Sequence, residues 1–159
     1  MNKVYLLLGS NLGNSKNQLL LAIKYIDEHI GKVIEISGLY STAAWGNIQQ
    51  SDFLNQVIVV ETSLHPLSLL KEILAIEEKM GRVRTVKNAA RIIDIDILFF
   101  NSEIIKEKDL TIPHPEIQNR RFVLIPLVEI AASLLHPILK KTAQELLNMC
   151  SDNLNVQKI

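Results

Sequence analysis

Cysteine is nearly missing from this chain of 159 residues: Cys150 stands alone, so no disulfide can close within it, and one thiol offers no metal-ligand spacing. A reducing, cytoplasmic setting is therefore expected. An excess of charge of either sign is missing too, with 17 Lys and Arg against 17 Asp and Glu. A protein that coats nucleic acid or an anionic membrane needs a broad positive field, and this chain has none on average. Aromatic residues make up only 5% of the sequence, which argues against an RNA-binding sheet tiled with stacking rings. Long apolar runs are absent as well. The greasiest stretch, residues 123–135, is broken by Pro126 and Glu129 and falls short of the ~20 residues that span a bilayer. Near the N-terminus the apolar run Val4 to Leu8 is too short for a secretory core, which needs about 7–15 residues. What remains is 48% hydrophobic and 21% charged, an ordinary globular balance, and the length suits one domain over residues 1–159. A monomer acting on small molecules, without nucleic acid or membrane as partner, is the expectation.

Periodicity gives the order of elements. Val4 to Leu8 reads as a buried strand stopped by the turn-forming stretch Gly9-Ser-Asn-Leu-Gly13-Asn14. From Ser15 the apolar residues Leu19, Ile23, Ile26 and Ile30 recur at helical spacing, and Gly31 sits at the helix end. Val33 to Tyr40 and Phe53 to Thr62 read as strands. Pro66 opens a second helix, with Leu67, Leu70, Ile73 and Leu74 expected inward and Gly81 beyond its end. Ile92 to Phe100 is a further strand. A helix is expected near Arg121 to Ala131, and Thr142 to Glu145 has the spacing of a capping box that starts another. Strand, helix, strand, strand, helix, strand is the order of a ferredoxin-like α+β sandwich, here with additional C-terminal helices.

The densest chemistry lies in Arg91-Ile-Ile-Asp94-Ile-Asp96. Strand side chains alternate, so Asp94 and Asp96 share one face while Ile93, Ile95 and Ile97 take the other. Like charges so placed need neutralising, by a hard cation such as Mg²⁺ or by nearby arginines, or one of the two must stay protonated. Just upstream, Lys79, Arg82, Arg84, Lys87 and Arg91 form a run of cations without an intervening acid. Forked guanidiniums suit phosphate oxygens, and acids plus an arginine loop are the parts of a phosphoryl-transfer site. A solvated loop balancing Glu77 and Glu78 is the plainer alternative. Gly9 to Gly13 is neither a Walker loop nor a dinucleotide fingerprint, so no glycine cradle holds phosphate here. Of the histidines, His65 and His136 precede prolines as punctuation, whereas His114 sits in Thr111-Ile-Pro113-His114-Pro115 ahead of Arg120 and Arg121, where it could contact a nucleotide. Phe53 and Asn55 share a strand face with Val57 and Val59. They could stack on and read a flat heterocycle, or they could be a core ring and a strand-end amide.

Together Gly9-Ser-Asn-Leu, Phe53-Leu-Asn55, Gly81-Arg-Val-Arg84, Arg91-Ile-Ile-Asp-Ile-Asp96 and Pro113-His-Pro followed by Asn119-Arg120 and Phe122 resemble the 6-hydroxymethyl-7,8-dihydropterin pyrophosphokinase family of folate biosynthesis over nearly the whole chain. The resemblance implies a ferredoxin-like fold and transfer of pyrophosphate from ATP to the pterin, releasing AMP. It implies two Mg²⁺ ions held by Asp94 and Asp96, and Arg82, Arg84 and Arg91 closing over the phosphates, with Arg82 and Arg91 serving the chemical step. ATP would meet Leu98, Leu110, Thr111, His114 and Arg120, with Glu77 nearby. The pterin would lie between Phe53 and Phe122, bonded by Asn55 and enclosed by Thr42, Ala44 and Trp45. The chain departs from the family at Asn88-Ala89-Ala90, where relatives often carry an aromatic residue and Gly-Pro, and at Leu74, where a polar side chain can occur. Two other classes remain open beside this one: a different Mg²⁺-dependent nucleotidyl or phosphoryl transferase, and a non-catalytic pterin- or nucleotide-binding module.

Overall fold

The run Val4 to Leu8 is apolar without alternation because its strand is covered on both faces, and the rest of the architecture is arranged around it. The computed structural model describes residues 1–42, 52–82 and 92–159. Its elements are β1 (Asn2–Ser10), α1 (Ser15–His29), β2 (Lys32–Ile36), β3 (Tyr40–Thr42), β4 (Phe53–Thr62) and α2 (Pro66–Lys79), followed by β5 (Asp94–Phe100), β6 (Ile105–Lys106) and β7 (Thr111–Ile112). A 3-10 turn at Ile117–Asn119 leads into α3 (Arg121–Ala131), α4 (Ala143–Met149) and β8 (Val156–Lys158). The main sheet runs β5-β1-β4-β3-β8, with β2 also paired to β4, and β1 is antiparallel to both β4 and β5. This is the expected ferredoxin-like order, with β6 and β7 forming a small separate hairpin.

Two cores lie on opposite faces of that sheet. Val4, Leu6, Leu8, Ile58, Val60, Ile93, Ile95 and Ile97 pack against Leu19, Ile26, Ile73 and Ile76 of α1 and α2. Tyr5, Leu7, Val57, Val59, Leu98 and Phe99 pack against Val123, Leu124 and Leu127 of α3 and Leu146 of α4. The C-terminal helices thus form a third layer over the face that the split βαβ units leave open.

Local chemistry accounts for the element ends. The Asn14 side chain accepts from the Asn17 N–H at 3.2 Å to start α1, and Pro66 occupies the first turn of α2. Gly81, at φ +91°, turns the chain out of α2 in a conformation that glycine adopts without cost. Thr142 and Glu145 form the reciprocal capping box that starts α4.

Three expectations are corrected. The strand expected from Val33 to Tyr40 is interrupted between β2 and β3. Ser37 causes the break: its hydroxyl accepts from the Val57 N–H at 2.9 Å and its carbonyl from the Gln56 Nε2 at 2.7 Å, so a side chain replaces a ladder bond. On α2 the buried positions are Leu69, Ile73, Ile76 and Glu77, whereas Leu67 and Leu74 are 55% and 42% exposed. The strand expected from Ile92 begins at Asp94 and carries a bulge: Tyr5 pairs with Phe99 but Leu6 with Ile97, so Leu98 is extra. Leu98 and Phe99 both join the α3 side in consequence, and Phe100 returns to the other.

Gly31 provides a test of the packing between α1 and β4. A Cβ there would lie 2.1 Å from the Glu61 carbonyl oxygen, and that oxygen belongs to a strand that cannot retreat. Gly31→Ala is expected to cost about 2 kcal/mol of stability by overpacking. Urea denaturation would check this, as a lower midpoint with an unchanged slope.

Candidate active site

Asp94 and Asp96 open the edge strand β5 with Ile93, Ile95 and Ile97 locked into the core behind them. Strand alternation turns both carboxylates to one face, as expected, and that face is the α3 side of the sheet. Glu77, buried at 2% exposure near the end of α2, joins them: its Oε2 accepts from the Ile95 N–H at 2.7 Å and from Arg82 Nη1 at 3.1 Å. The same Arg82 Nη1 donates to Asp94 Oδ1 at 2.8 Å. Arg82 therefore links the end of α2 to the start of β5, and its guanidinium lies against two carboxylates. Glu77, expected near ATP, has one oxygen committed to the strand and to this arginine.

The electrostatics leave a demand for positive charge. Burial pushes the Asp96 carboxyl up to about 7, with Asp94 and Glu77 adding to the rise and Arg120 and Arg82 opposing it. Among the described residues, three carboxylates act on one another there against two guanidiniums. His114 lies within the same field. Burial lowers its pKa, and Arg120 lowers it further. Its Nδ1 accepts from the Glu116 N–H at 3.1 Å, so the neutral ring carries its proton on Nε2 as a donor. The His114 N–H donates to the carbonyl of the bulged Leu98 at 3.0 Å, which ties the turn to β5.

Register places the remaining candidates on the same face. Gly9 pairs with Asp94 on one side and with Asn55 on the other, and Tyr40 pairs with Asn55 in turn. One row across the sheet thus reads Asp94, Gly9, Asn55, Tyr40. At about 4.8 Å per strand, Asp94 and Asn55 stand roughly 10 Å apart with no side chain between them. A Cβ on Gly9 would sit 3.0 Å from Asn55 Oδ1, so glycine keeps this floor low. Asn55 is buried and donates from Nδ2 to Thr42 Oγ1 at 3.2 Å, while Thr42 pairs with Phe53. Phe122, in the first turn of α3, packs on the core of this face, and the Arg120 guanidinium lies 5.8 Å from its ring centre.

On the free edge of β5 an open cleft of about 670 Å³ is lined by Leu67, Leu70, Lys71, Leu74, Glu77, Arg82, Asp94, Asp96 and Asp109. The exposed leucines of α2 are the wall of this cleft, which explains an apolar stripe broader than the core requires. Leu98 and Leu110, expected at the ATP site, are buried in opposite cores, and Thr111 is exposed on β7. Ala44, Trp45, Arg84, Arg91 and the stretch Asn88-Ala89-Ala90 lie outside the described residues. Asp109 and Lys71 were not anticipated as lining residues. Neither sits in a recognisable motif, and only the hairpin of β6 and β7 brings Asp109 opposite α2.

Comparison with known proteins fits this geometry. A family model described as 7,8-dihydro-6-hydroxymethylpterin-pyrophosphokinase matches residues 5–132. The chain is 41% identical over 145 residues to the 2-amino-4-hydroxy-6-hydroxymethyldihydropteridine pyrophosphokinase of Aquifex aeolicus, covering 91% of this chain and 90% of that one. It is 40% identical over 130 residues to the protein of the same name from Bacillus subtilis, covering 81% and 78%. Against the folic acid synthesis protein fol1 of Pneumocystis carinii the identity is 43% over 135 residues, 85% of this chain but 18% of that protein. Among solved structures, Plasmodium falciparum HPPK-DHPS with pteroate superposes with a TM-score of 0.76 at 22% identity, over 93% of this chain and 42% of that one, and so supports the fold. The chain spans less than half the length of such fused proteins, and their further activities stay with them. Matched over most of its length by the family model and by relatives of its own size, the chain belongs to the 7,8-dihydro-6-hydroxymethylpterin-pyrophosphokinase family, the pyrophosphokinases of folate biosynthesis.

Proposed function

We propose that the face shared by β5, β1 and β4 transfers the pyrophosphoryl group of ATP to the hydroxymethyl oxygen of 6-hydroxymethyl-7,8-dihydropterin. One observation carries this reading: a paired carboxylate on β5 and a buried carboxamide on β4 face each other across Gly9, with no side chain between. That gap suits a bicyclic heterocycle read at one end by Asn55, with its hydroxymethyl arm reaching toward Asp94 and Asp96. Phe53 and Phe122 would cover the two faces of the ring, and Thr42 would hold Asn55 in the orientation that reads it. ATP would enter along the cleft at the β5 edge, its base against Leu67, Leu70 and Leu74 and its phosphates directed to the acidic end. His114 Nε2, Thr111 and Arg120 would supply donors to those phosphates, and the family resemblance adds Arg84 and Arg91, which lie outside the described residues.

The site's donor set fits a hard divalent cation. Two adjacent carboxylates, one of them driven upward by burial and then by its like-charged neighbours, are what Mg²⁺ relieves and what it accepts alongside substrate phosphate. Asp94 and Asp96 would hold it, as two ions by family resemblance. When bound, the metal neutralises phosphate charge and acidifies the attacking hydroxyl. The reaction is an in-line attack: the hydroxymethyl oxygen bonds to the β-phosphorus as its proton passes to solvent water, the bond from that phosphorus to the α,β-bridging oxygen breaks, and AMP leaves with that oxygen and the bond's electron pair. Arg82 steadies Asp94 through this exchange, because Glu77 anchors the arginine from beneath. Arg120 brings positive charge within reach of both His114 and Asp96, and would offset the negative charge of the phosphates there.

A coupled assay tests the reading. The purified chain with Mg²⁺ and ATP should form AMP and a pterin diphosphate only when the pterin is present, and Asp94→Ala or Asp96→Ala should each lower kcat by about a hundredfold or more. Pterin-independent turnover, ADP or inorganic pyrophosphate as product, or near-normal rates in both variants would overturn it.

The raised Asp96 value gives a pH prediction for the metal-free protein. An acid whose folded pKa lies above its unfolded value near 3.8 costs nothing below that value. Stability falls as pH rises toward about 7, where the folded carboxyl finally ionises, and then stays level. Asp96→Asn should therefore raise the melting temperature at pH 8 in a chelating buffer, with the gain vanishing toward pH 4. A gain of equal size at both pH values would contradict the electrostatic origin.

A further inference from the structure

The family match ends at residue 132, yet the chain beyond it grips both walls of the pocket assigned above to the pterin. α3 begins without a side-chain cap of its own: its N-cap residue, Arg120, makes no such bond. The Arg121 N–H donates instead to Asp152 Oδ2 at 3.0 Å, an acceptor 31 positions downstream. Asp152 is fixed in turn, because its Oδ1 accepts from the Leu154 N–H at 3.0 Å. Phe122 is the next residue of α3, so the direction of its ring over the sheet follows from how this first turn is held.

The same tail then becomes β8 and pairs with β3, Val156 opposite Thr42 and Lys158 opposite Tyr40. The Ile159 N–H extends the pairing to the Leu39 carbonyl at 2.9 Å. Lys158 Nζ bonds Glu129 Oε2 at 2.8 Å, and Glu129 Oε1 accepts from both the Gly38 N–H at 2.9 Å and the Tyr40 hydroxyl at 2.8 Å. Glu129 lies toward the far end of α3. The tail is therefore joined to α3 near both of its ends and to β3 along its length, and β3 is the strand whose Thr42 orients Asn55. A Cβ on Gly38 would come within 2.6 Å of Lys158 Cε, so the glycine lets the lysine stem lie flat on this joint.

We propose that residues 152–158 form a clamp that sets the distance between Phe122 on α3 and the Thr42–Asn55 pair on the sheet, with Asp152 a positioning residue for pterin binding. This rests on the pocket assignment made under the proposed function. Asp152 touches no substrate in this scheme, and Arg120, whose carbonyl accepts from the Val123 and Leu124 N–H groups of this first turn, is also fixed from upstream, its N–H donating to the Ile117 carbonyl at 3.3 Å. Loss of the Asp152 acceptor should therefore loosen the pterin wall and spare the ATP side.

The full-length chain carries the test. Asp152→Ala should raise the KM and equilibrium Kd for the pterin about tenfold, the scale of a lost helix cap, with kcat and the KM for ATP changed less than about twofold. Asp152→Asn, which keeps one carbonyl oxygen for the Arg121 N–H but gives up the acceptor of the Leu154 N–H, should restore the pterin values in part. Lys158→Gln loosens the other end of the clamp and serves if Asp152→Ala does not fold, with a pterin KM about threefold higher expected from loss of a partly exposed ion pair. An unchanged pterin Kd in folded Asp152→Ala, or in Lys158→Gln where that variant has to stand in, would overturn the clamp. So would an equal rise for both substrates that Asp152→Asn fails to reverse. Either result with an active parent protein leaves the proposed reaction standing, whereas a parent protein that makes no pterin-dependent AMP removes the reaction itself.

Discussion

Two like charges two residues apart on one strand form an arrangement that folding by itself disfavours, and much of the site serves to hold it. Asp94 and Asp96 cannot turn away from each other, because Ile93, Ile95 and Ile97 on the opposite side of the chain are buried against α1 and α2. The burial of that isoleucine row outweighs the repulsion: each buried aliphatic side chain contributes about 1.5–3 kcal/mol. Arg82 lowers the local cost and depends on Glu77 for its own placement, so a carboxylate that reads as one more acid in the sequence acts as the anchor of a cation. Burial first, then Asp94 and Glu77, hold the Asp96 carboxyl up although Arg120 and Arg82 oppose the rise. A strand under such electrostatic load is prepared for a metal and a polyphosphate in a way that a neutral one would not be.

The parts of this architecture legible in the sequence are those dictated by side chains local to them. β4 keeps the bounds Phe53 to Thr62 expected from its Val- and Ile-rich stretch, Arg121–Ala131 is helical as expected, and Thr142 and Glu145 form the capping box their spacing announces. The aspartate pair was legible for the same reason, since alternation within one strand needs no partner to be known. What escaped was decided by distant contacts. Ser37 breaks its strand only because Val57 and Gln56 stand across from it. The bulge at Leu98 depends on register with β1, and β8 has too little apolar character to read as a strand until β3 supplies an edge for it. Leu67 and Leu74 misled because a stripe that lines a cleft has the same helical period as one that lines a core.

Asp96 and Val57 both pair with Leu7, and Asp94 and Asn55 both pair with Gly9, so one short stretch of β1 joins the charged half of the site to the ring-binding half. β1 carries no polar side chain to this face at those positions and contributes only its two extremes of size. Leu7 closes the core beneath the site, and Gly9 opens the space above it. Because β1 is an interior strand, paired on both edges and buried on both faces by the helical layers, the separation of the two halves is set by main-chain spacing and does not depend on any long side chain. α3 is the less rigidly placed wall, since it reaches the sheet through its packing face and the bonds of Asp152 and Glu129. Variation in how tightly the ring is held should therefore arise on the helix side of the pocket, while the distance from ring to metal site stays with the sheet.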